Sequence, residues 1–409
     1  MAGDLRETNS PEVRRVRDAL LAYCRARNWA GHDPYDALNS RLLTAVPMLD
    51  ARLPRLVFTQ ALKRSPIDIR RLLLIPETQN PKAIALFLGA ALRMSDLAPA
   101  SRNDLVRGFV DLLAALRSNG TDAWCWGYSF PWQTRTLVVP RGAPNLVCTM
   151  FVANALLDAY EVTGDDRCLA MATSAAHYIV RELYWTEGDV MAGFAYPMPS
   201  IRVHIHNANL LGGALLCRVA TMAGDKALLE PALRVARYSA SRQQADGSWV
   251  YGEGATQQWI DNFHTGYNLE ALHAIDRYLG RDEFGARVRS GFEYYRAHFF
   301  REDGAPRYFH DNTYPIDIHC VAQSLITLVT FQDLAPGSLA LAHRVFGWAV
   351  RHMWDERGFF YYRVLRAGTI RTSYMRWSQA WMLLATSILA NGTERVAADR
   401  PAARPAVPA

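Results

Sequence analysis

Helical runs dominate the pattern of apolar and polar positions in this chain, and short aromatic stretches with glycine punctuate them. One stretch sets the pattern out in full. Residues 243–272 begin with a short aromatic strand or turn, GSWVYGE, and continue into a helix that starts near Asp261. Its first turns carry Asp261, His264, Thr265, Tyr267 and Asn268, while Phe263, Leu269 and Leu272 supply apolar packing. His264 and Asn268 are four apart and lie on one helical face. A helix start offers free N–H groups and the positive end of a dipole, so a polar face there suits an oxygen-rich or anionic ligand.

The same order recurs along the chain: an aromatic strand, a loop, a helix with polar residues at its start, then a second helix. Strand-like pieces lie at 127–135, 193–197, 247–252, 305–311 and 358–364, and the helices after them start near Asn145, Asn207, Asp261, Asp317 and Tyr374. Successive starts are 62, 54, 56 and 57 residues apart (145→207→261→317→374). A steady period of this length marks a repeated supersecondary unit, here a helical hairpin. Second helices are expected at 165–182, 226–242, 282–299 and 337–353, several after a Gly-Asp turn such as Gly164–Asp165. Nearer the N terminus, Ser10–Pro11 opens a helix to about Arg27, and further helices cover 81–95 and 102–118. Hairpins joined by short strands predict an all-α fold: an (α/α) toroid of repeated helical hairpins, with short aromatic β-hairpins at one rim. Residues 1–391 form a single domain, with N-terminal helices at 10–120 and repeated hairpins at 121–391; the Pro-, Ala- and Arg-rich 392–409 reads as a disordered tail.

In such a toroid the polar starts of the inner helices converge on one funnel. Residues 203–213 then contribute His204, His206, Asn207 and Asn209, and 314–325 contribute Tyr314, Asp317, His319 and Gln323. Residues 373–383 add Tyr374, Arg376, Trp377 and Gln379, and the aromatic stretches add Trp132, Trp249, Tyr251 and Tyr308. The stretch 29–43 is also dense in polar and aromatic residues, among them His32, Asp33, Tyr35 and Asp36; it reads as a turn around Asp33–Pro34 or as a loop that carries function. Aromatic rings cover sugar C–H faces while Asn, Gln, Asp and His bind hydroxyls, so this set describes a carbohydrate surface.

Composition narrows the choice. The chain has 409 residues, half of them hydrophobic, enough to bury a large core. Its net charge of +6 is spread along the sequence, with no basic patch interleaved with aromatics. That argues against nucleic acid and allows a mild preference for acidic ligands. None of the six cysteines forms a CxxC pair, the first residues carry no apolar signal core, and runs such as 83–92 are too short to span a membrane. The expectation is a cytoplasmic protein with a glycan or sugar substrate and no integral membrane segment. His204 and His206 lack a third soft ligand, and there is no GxSxG elbow, dinucleotide fingerprint or glycine-rich lysine loop, so neither a metal nor a cofactor is expected.

QQADGSW followed by inner and outer helices resembles α/α-toroid proteins, including the six-hairpin glycosidase-like enzymes and the QW repeats of triterpene cyclases. Asp261-x-x-His264-Thr265-x-x-Asn268 resembles part of the D-glucuronyl C5-epimerase C-terminal domain pattern, and the whole chain is similar to bacterial toroids associated with surface-polysaccharide synthesis. The epimerase resemblance implies removal and return of a proton beside a uronate carboxylate. It implies His264 as base or orienter, with Asp261 and Asn268 positioning. Tyr251 and Tyr374 are candidate acids, as is Tyr314, and His319 and Asp317 complete the candidate catalytic set. Asn207, Asn209, Gln323, Arg376, Trp249 and Trp132 are the other candidate substrate contacts. Three further readings stand beside an epimerase or lyase. One is a glycoside hydrolase drawing two carboxylates from Asp261, Asp317, Asp311, Asp33 or Glu253. The others are a non-catalytic glycan-binding or assembly protein and, weakest, an isoprenoid cyclase.

Overall fold

The computed structural model describes residues 5–46, 51–134 and 137–398. Its helices are α1 (Leu5–Ala26), α2 (Arg41–Thr44), α3 (Arg52–Arg64), α4 (Pro81–Arg93), α5 (Pro99–Ala115), α6 (Leu146–Thr163) and α7 (Asp166–Tyr178). They continue with α8 (His206–Ala223), α9 (Leu229–Ser241), α10 (Asn262–Leu279), α11 (Gly285–His298), α12 (Ile318–Thr330), α13 (Ser338–Met353) and α14 (Trp381–Ala398).

Local chemistry sets the limits of the even-numbered helices from α4 onward. Asn80, Asn145, Asp261 and Asp317 cap α4, α6, α10 and α12, each side-chain oxygen accepting a backbone N–H of the first turn. Such a cap contributes about 0.5–2 kcal/mol. Gly164, Gly224 and Gly280 end α6, α8 and α10 with φ of 68°, 73° and 61°, a conformation that L side chains adopt poorly.

These helices form a closed ring, α4–α6–α8–α10–α12–α14, with α14 packed on α4. Helices α5, α7, α9, α11 and α13 each pack outside the inner helix that precedes them, and α1 covers α14. The inner helices all point one way. Their first turns meet, as in the contacts of His319 with Phe263 and Trp377. Near their far ends, Arg93 of α4 and Arg218 of α8 share Asp158 of α6. The result is a six-hairpin α/α toroid with one large apolar core, beside a small separate cluster of Ala37, Leu62 and Ile75 in the N-terminal segment. Helix α6 is long and apolar enough to cross a membrane, with a mean hydropathy of 1.3 over 18 residues, contrary to the expectation that every apolar run is too short. Its place between α4, α7 and α8 accounts for that apolarity, since an inner helix is covered on most of its faces.

The repeat spacing locates the ring. Residues 145, 261 and 317 are N-caps of inner helices, 374 precedes a π-helical turn (Met375–Ala380) that leads into α14, and α8 starts one residue before 207. Short antiparallel pairs gather at the rim, among them Trp132–Gln133 with Val138–Val139 and Tyr184–Glu187 with Met191–Phe194. The expected strands at 247–252 and 305–311 reduce to isolated bridges, Ile205 with Gly252 and Phe300 with Pro306. A tight turn follows Gly252 and Pro306 has no N–H to donate, so neither ladder extends. Helix α14 runs past 391 to Ala398, which moves the start of the expected tail; 399–409 lie outside the described residues.

Candidate active site

A pocket on the toroid axis identifies the inward face of every inner helix. It is lined by Leu86, Phe151, Leu211, Tyr267, Gln323 and Trp381, one from each inner helix. Four residues earlier, one turn nearer the rim, stand Lys82, Val147, Asn207, Phe263, His319 and Trp377, with His264 beside Phe263. This is the floor of the upper cavity. Phe151, Tyr267 and Trp381 come from alternate helices, and their rings meet on the axis with centroids 5.9, 5.3 and 5.8 Å apart. They divide the upper site from the axial pocket below.

Two imidazoles face this floor, each held differently. Asp261 is fixed by capping α10: its Oδ1 accepts the His264 N–H, and its Oδ2 accepts the Trp259 indole N–H at 2.8 Å. The same Oδ2 lies 2.7 Å from His264 Nδ1. In the neutral imidazole that contact puts the proton on Nδ1 and the lone pair on Nε2. The His264 side chain keeps 20% of its surface exposed, against 1% for Asp261. His319 is fully enclosed, and its Nε2 lies 2.7 Å from the Tyr267 hydroxyl. Burial, with Lys82 and Arg376 nearby, holds its pKa well below the usual histidine value, so it is neutral. Both imidazoles pack on Phe263, with centroids 4.1 and 4.7 Å away. His319 Nδ1 and Asn207 Oδ1 are buried and have no hydrogen-bond partner among the described residues.

The charged groups are mostly paired. Arg376 Nε and Nη2 bind both oxygens of Asp33 at 2.7 and 2.9 Å, and its guanidinium lies against Tyr128, Phe130 and Trp377. Asp317 accepts from Arg363 Nε, Trp377 Nε1 and the His319 N–H. Lys82 is the exception: its Nζ has no carboxylate among the described residues within ion-pair distance. Neutral phenols complete the walls. Burial keeps the pKa of Tyr128, Tyr251 and Tyr308 well up and pushes Tyr196 to about 12. Tyr251 stacks on Trp259 at 4.6 Å and touches the His264 ring at 4.5 Å.

The structure thus brings together His264, Asp261, Tyr251, His319, Asp317, Asn207 and Arg376. Asn268 lies at the edge of the inward face, about 100° around α10 from Tyr267, with its Oδ1 buried and unpartnered. Trp132 stands behind Tyr128, and Tyr314 is half-buried in the loop before α12. Four candidates are elsewhere. Asn209 points outward, accepting from Phe194 N and donating to Ser239 of α9. Trp249 is buried, donates to the Ser239 carbonyl and packs where Gly291 of α11 leaves room. Tyr374 sits between Tyr362 and Arg70, beneath the N-terminal segment. Gln323 lies below the aromatic divide, bonded to Glu270 and Thr327. Helical phase explains Asn209, and the apolar surroundings of Trp249 explain the other outward residue. Asn209→Ala removes two buried hydrogen bonds, so a loss of about 1–3 kcal/mol is expected, with kcat and KM of the folded fraction unchanged in a steady-state assay.

Sequence reasoning missed Lys82 and Glu270, each a charged residue amid apolar neighbours near the middle or start of an inner helix. Glu270 borders the axial pocket of about 290 Å³. Burial raises its pKa to about 8, although Thr327 and Gln323 donate to it. An acid whose folded-state pKa is raised carries its proton into the fold. Its contribution is full below the ordinary value of 4.5 and is lost as pH rises to about 8. Melting temperature should therefore fall across that window more steeply in the wild type than in Glu270→Gln, a comparison that thermal scans from about pH 5 to about pH 9 will check.

No family model matches this sequence, and no curated protein matches it. Solved structures do. A cellobiose 2-epimerase from Spirochaeta thermophila superposes with a TM-score of 0.59 at 14% identity, covering 78% of this chain and 87% of that one. A family 76 α-mannanase from Bacteroides thetaiotaomicron gives 0.59 at 12% identity over 78% and 87%. An unsaturated glucuronyl hydrolase with dGlcA-Glc-Rha-Glc gives 0.55 at 16% identity over 76% and 87%. At these identities the likeness shows the fold, the six-hairpin glycosidase-like α/α toroid.

Proposed function

We propose that this protein is a carbohydrate-active enzyme that removes a proton from a uronate-containing glycan, as an epimerase or lyase. The observation that carries this reading is the pair of inward imidazoles in a cavity where Asp33, Asp261 and Asp317, its carboxylates among the described residues, are already engaged. Hydrolysis by paired carboxylates needs one acid to give a proton and another to attack or activate water. Asp33 and Asp317 are held by arginines, and Asp261 by Trp259 and His264. Of the other candidate acids, Asp311 is exposed and Glu253 bonds Tyr238 and pairs with Arg242. Proton transfer needs only a base with a free lone pair and a donor, and His264 Nε2 fits the first role.

In this reading His264 takes the proton from C5. The C–H electron pair moves into the adjacent carboxylate and gives an enediolate, which a cation at the floor stabilises. Epimerisation returns a proton to the other face of C5. Elimination uses the electron pair to form the C4–C5 double bond, and the departing 4-oxygen takes a proton. The Tyr251 phenol beside His264 and the Tyr267 phenol on His319 are the candidate donors. Neighbours of the same fold that include a sugar epimerase and a glucuronyl hydrolase support the substrate class. Six free, buried cysteines are consistent with work in the reducing cytoplasm, in surface-polysaccharide metabolism. Incubation with uronate oligosaccharides in D₂O tests the reading, because only proton abstraction replaces the C5 proton with deuterium or removes it into a C4–C5 double bond.

A further inference from the structure

We infer that Lys82 is the receptor for the substrate's carboxylate, and that it makes the site selective for acidic sugars; this rests on the proton-abstraction reading above for the place of C5. Lys82 occupies the inward first-turn position of α4, four residues before Leu86. Only 4% of the residue is exposed. Its Nζ stands 4.0 Å over the Phe151 ring, 5.2 Å from Trp381 and 5.9 Å from Tyr267. These are the three rings that meet on the axis, so the amine lies at the centre of the floor.

Rings of this kind favour the ammonium form, but they do not supply a counter-charge. The groups that bear on Lys82 are Arg376 on the π-helical turn, Asp33 on the segment before α4, Cys148 on α6 and His319 on α12. Arg376 repels it, Asp33 is taken by Arg376, and the thiol and imidazole are neutral. Burial and Arg376 lower the pKa of the amine well below the ordinary lysine value. A buried cation without a partner is costly, and a bound carboxylate would remove that cost. Arg363 and Arg376 already have carboxylate partners, so among these three cations, all in the described residues, Lys82 is the one left for a ligand. Lys82 bears on His319, and His319 and His264 both pack on Phe263, so a carboxylate on Lys82 brings the sugar to the imidazoles.

The test compares glucuronate- and galacturonate-containing disaccharides with counterparts whose carboxyl is reduced to a hydroxymethyl group. Calorimetry on the wild type should show at least one acidic sugar binding roughly ten- to a hundredfold tighter than its reduced partner, the range for a charge-assisted hydrogen bond. A bound carboxylate raises the pKa of the amine, so binding in buffers of different ionisation enthalpy, repeated over a pH series, should show proton uptake. Lys82→Met, shown by its melting curve to be folded, should lose the preference and the uptake, while Lys82→Arg should keep part of the preference. Equal binding of acidic and reduced sugars by the wild type overturns the inference, as does no binding of any sugar tested. A preference undiminished in Lys82→Met overturns it too, and the wild-type arm decides the matter if that variant does not fold. Failure of the proton-abstraction reading looks different: the preference depends on Lys82, yet the sugar gains neither deuterium at C5 nor a C4–C5 double bond.

Discussion

Replacing His264 with alanine is expected to lower the rate of solvent-deuterium incorporation into a uronate glycan by ~10²–10⁴-fold, the usual cost of losing a general base. The fold should survive. His264 is partly exposed, and its partner Asp261 keeps the Trp259 indole N–H and its capping bond after the ring is gone. Asp261→Asn should also slow exchange, because an amide that donates to Nδ1 would reverse the imidazole tautomer and turn the Nε2 lone pair into a donor. Deuterium exchange and melting temperature measured on the same His264→Ala sample separate the roles. Exchange at the wild-type rate would remove His264 as the base. A melting temperature far below wild type would mark it as structural.

Asp33→Ala is expected to destabilise the protein by about 3–5 kcal/mol, the usual result of stranding one member of a buried ion pair. Arg376 is 4% exposed and ringed by Tyr128, Phe130 and Trp377, so its charge has little recourse to solvent. Asp33 also accepts the Tyr35 N–H at 3.0 Å, and Tyr35 packs on Trp377 at the rim. The pair ties the segment before α4 to the turn that leads into α14, 343 residues away in sequence. Removing both charges should harm less than removing one, since no charge is then left buried alone. Urea midpoints of Asp33→Ala and of an Asp33→Ala/Arg376→Met double variant test this. A single variant within about 0.5 kcal/mol of wild type would mean that Arg376 has found another partner.

The ring was legible in the sequence because its period is carried by strong local signals. Asn145, Asp261 and Asp317 are good caps in front of apolar helices, and Gly164, Gly224 and Gly280 are good stops. Once the starts are known to meet at one rim, His264 and His319 follow as neighbours. Side-chain direction was harder to read. Asn207 and Asn209 share one motif, but two residues along a helix turn a side chain by about 200°, so Asn207 faces the axis and Asn209 faces α9. Lys82 gives no motif at all, and its place becomes visible only when Phe151, Tyr267 and Trp381 are seen to meet beneath it. The Asp33–Arg376 pair is invisible to any local pattern, because the two residues belong to opposite ends of the chain.

The proposed abstraction of a proton from a uronate at the axial site is open to proton NMR of uronate oligosaccharides incubated with wild-type enzyme in D₂O. Loss of the C5 proton signal is expected, with deuterium retained at C5 after epimerisation or a new C4–C5 alkene signal after elimination, and neither change with His264→Ala. New reducing-end signals with the C5 proton intact would contradict it and point to hydrolysis.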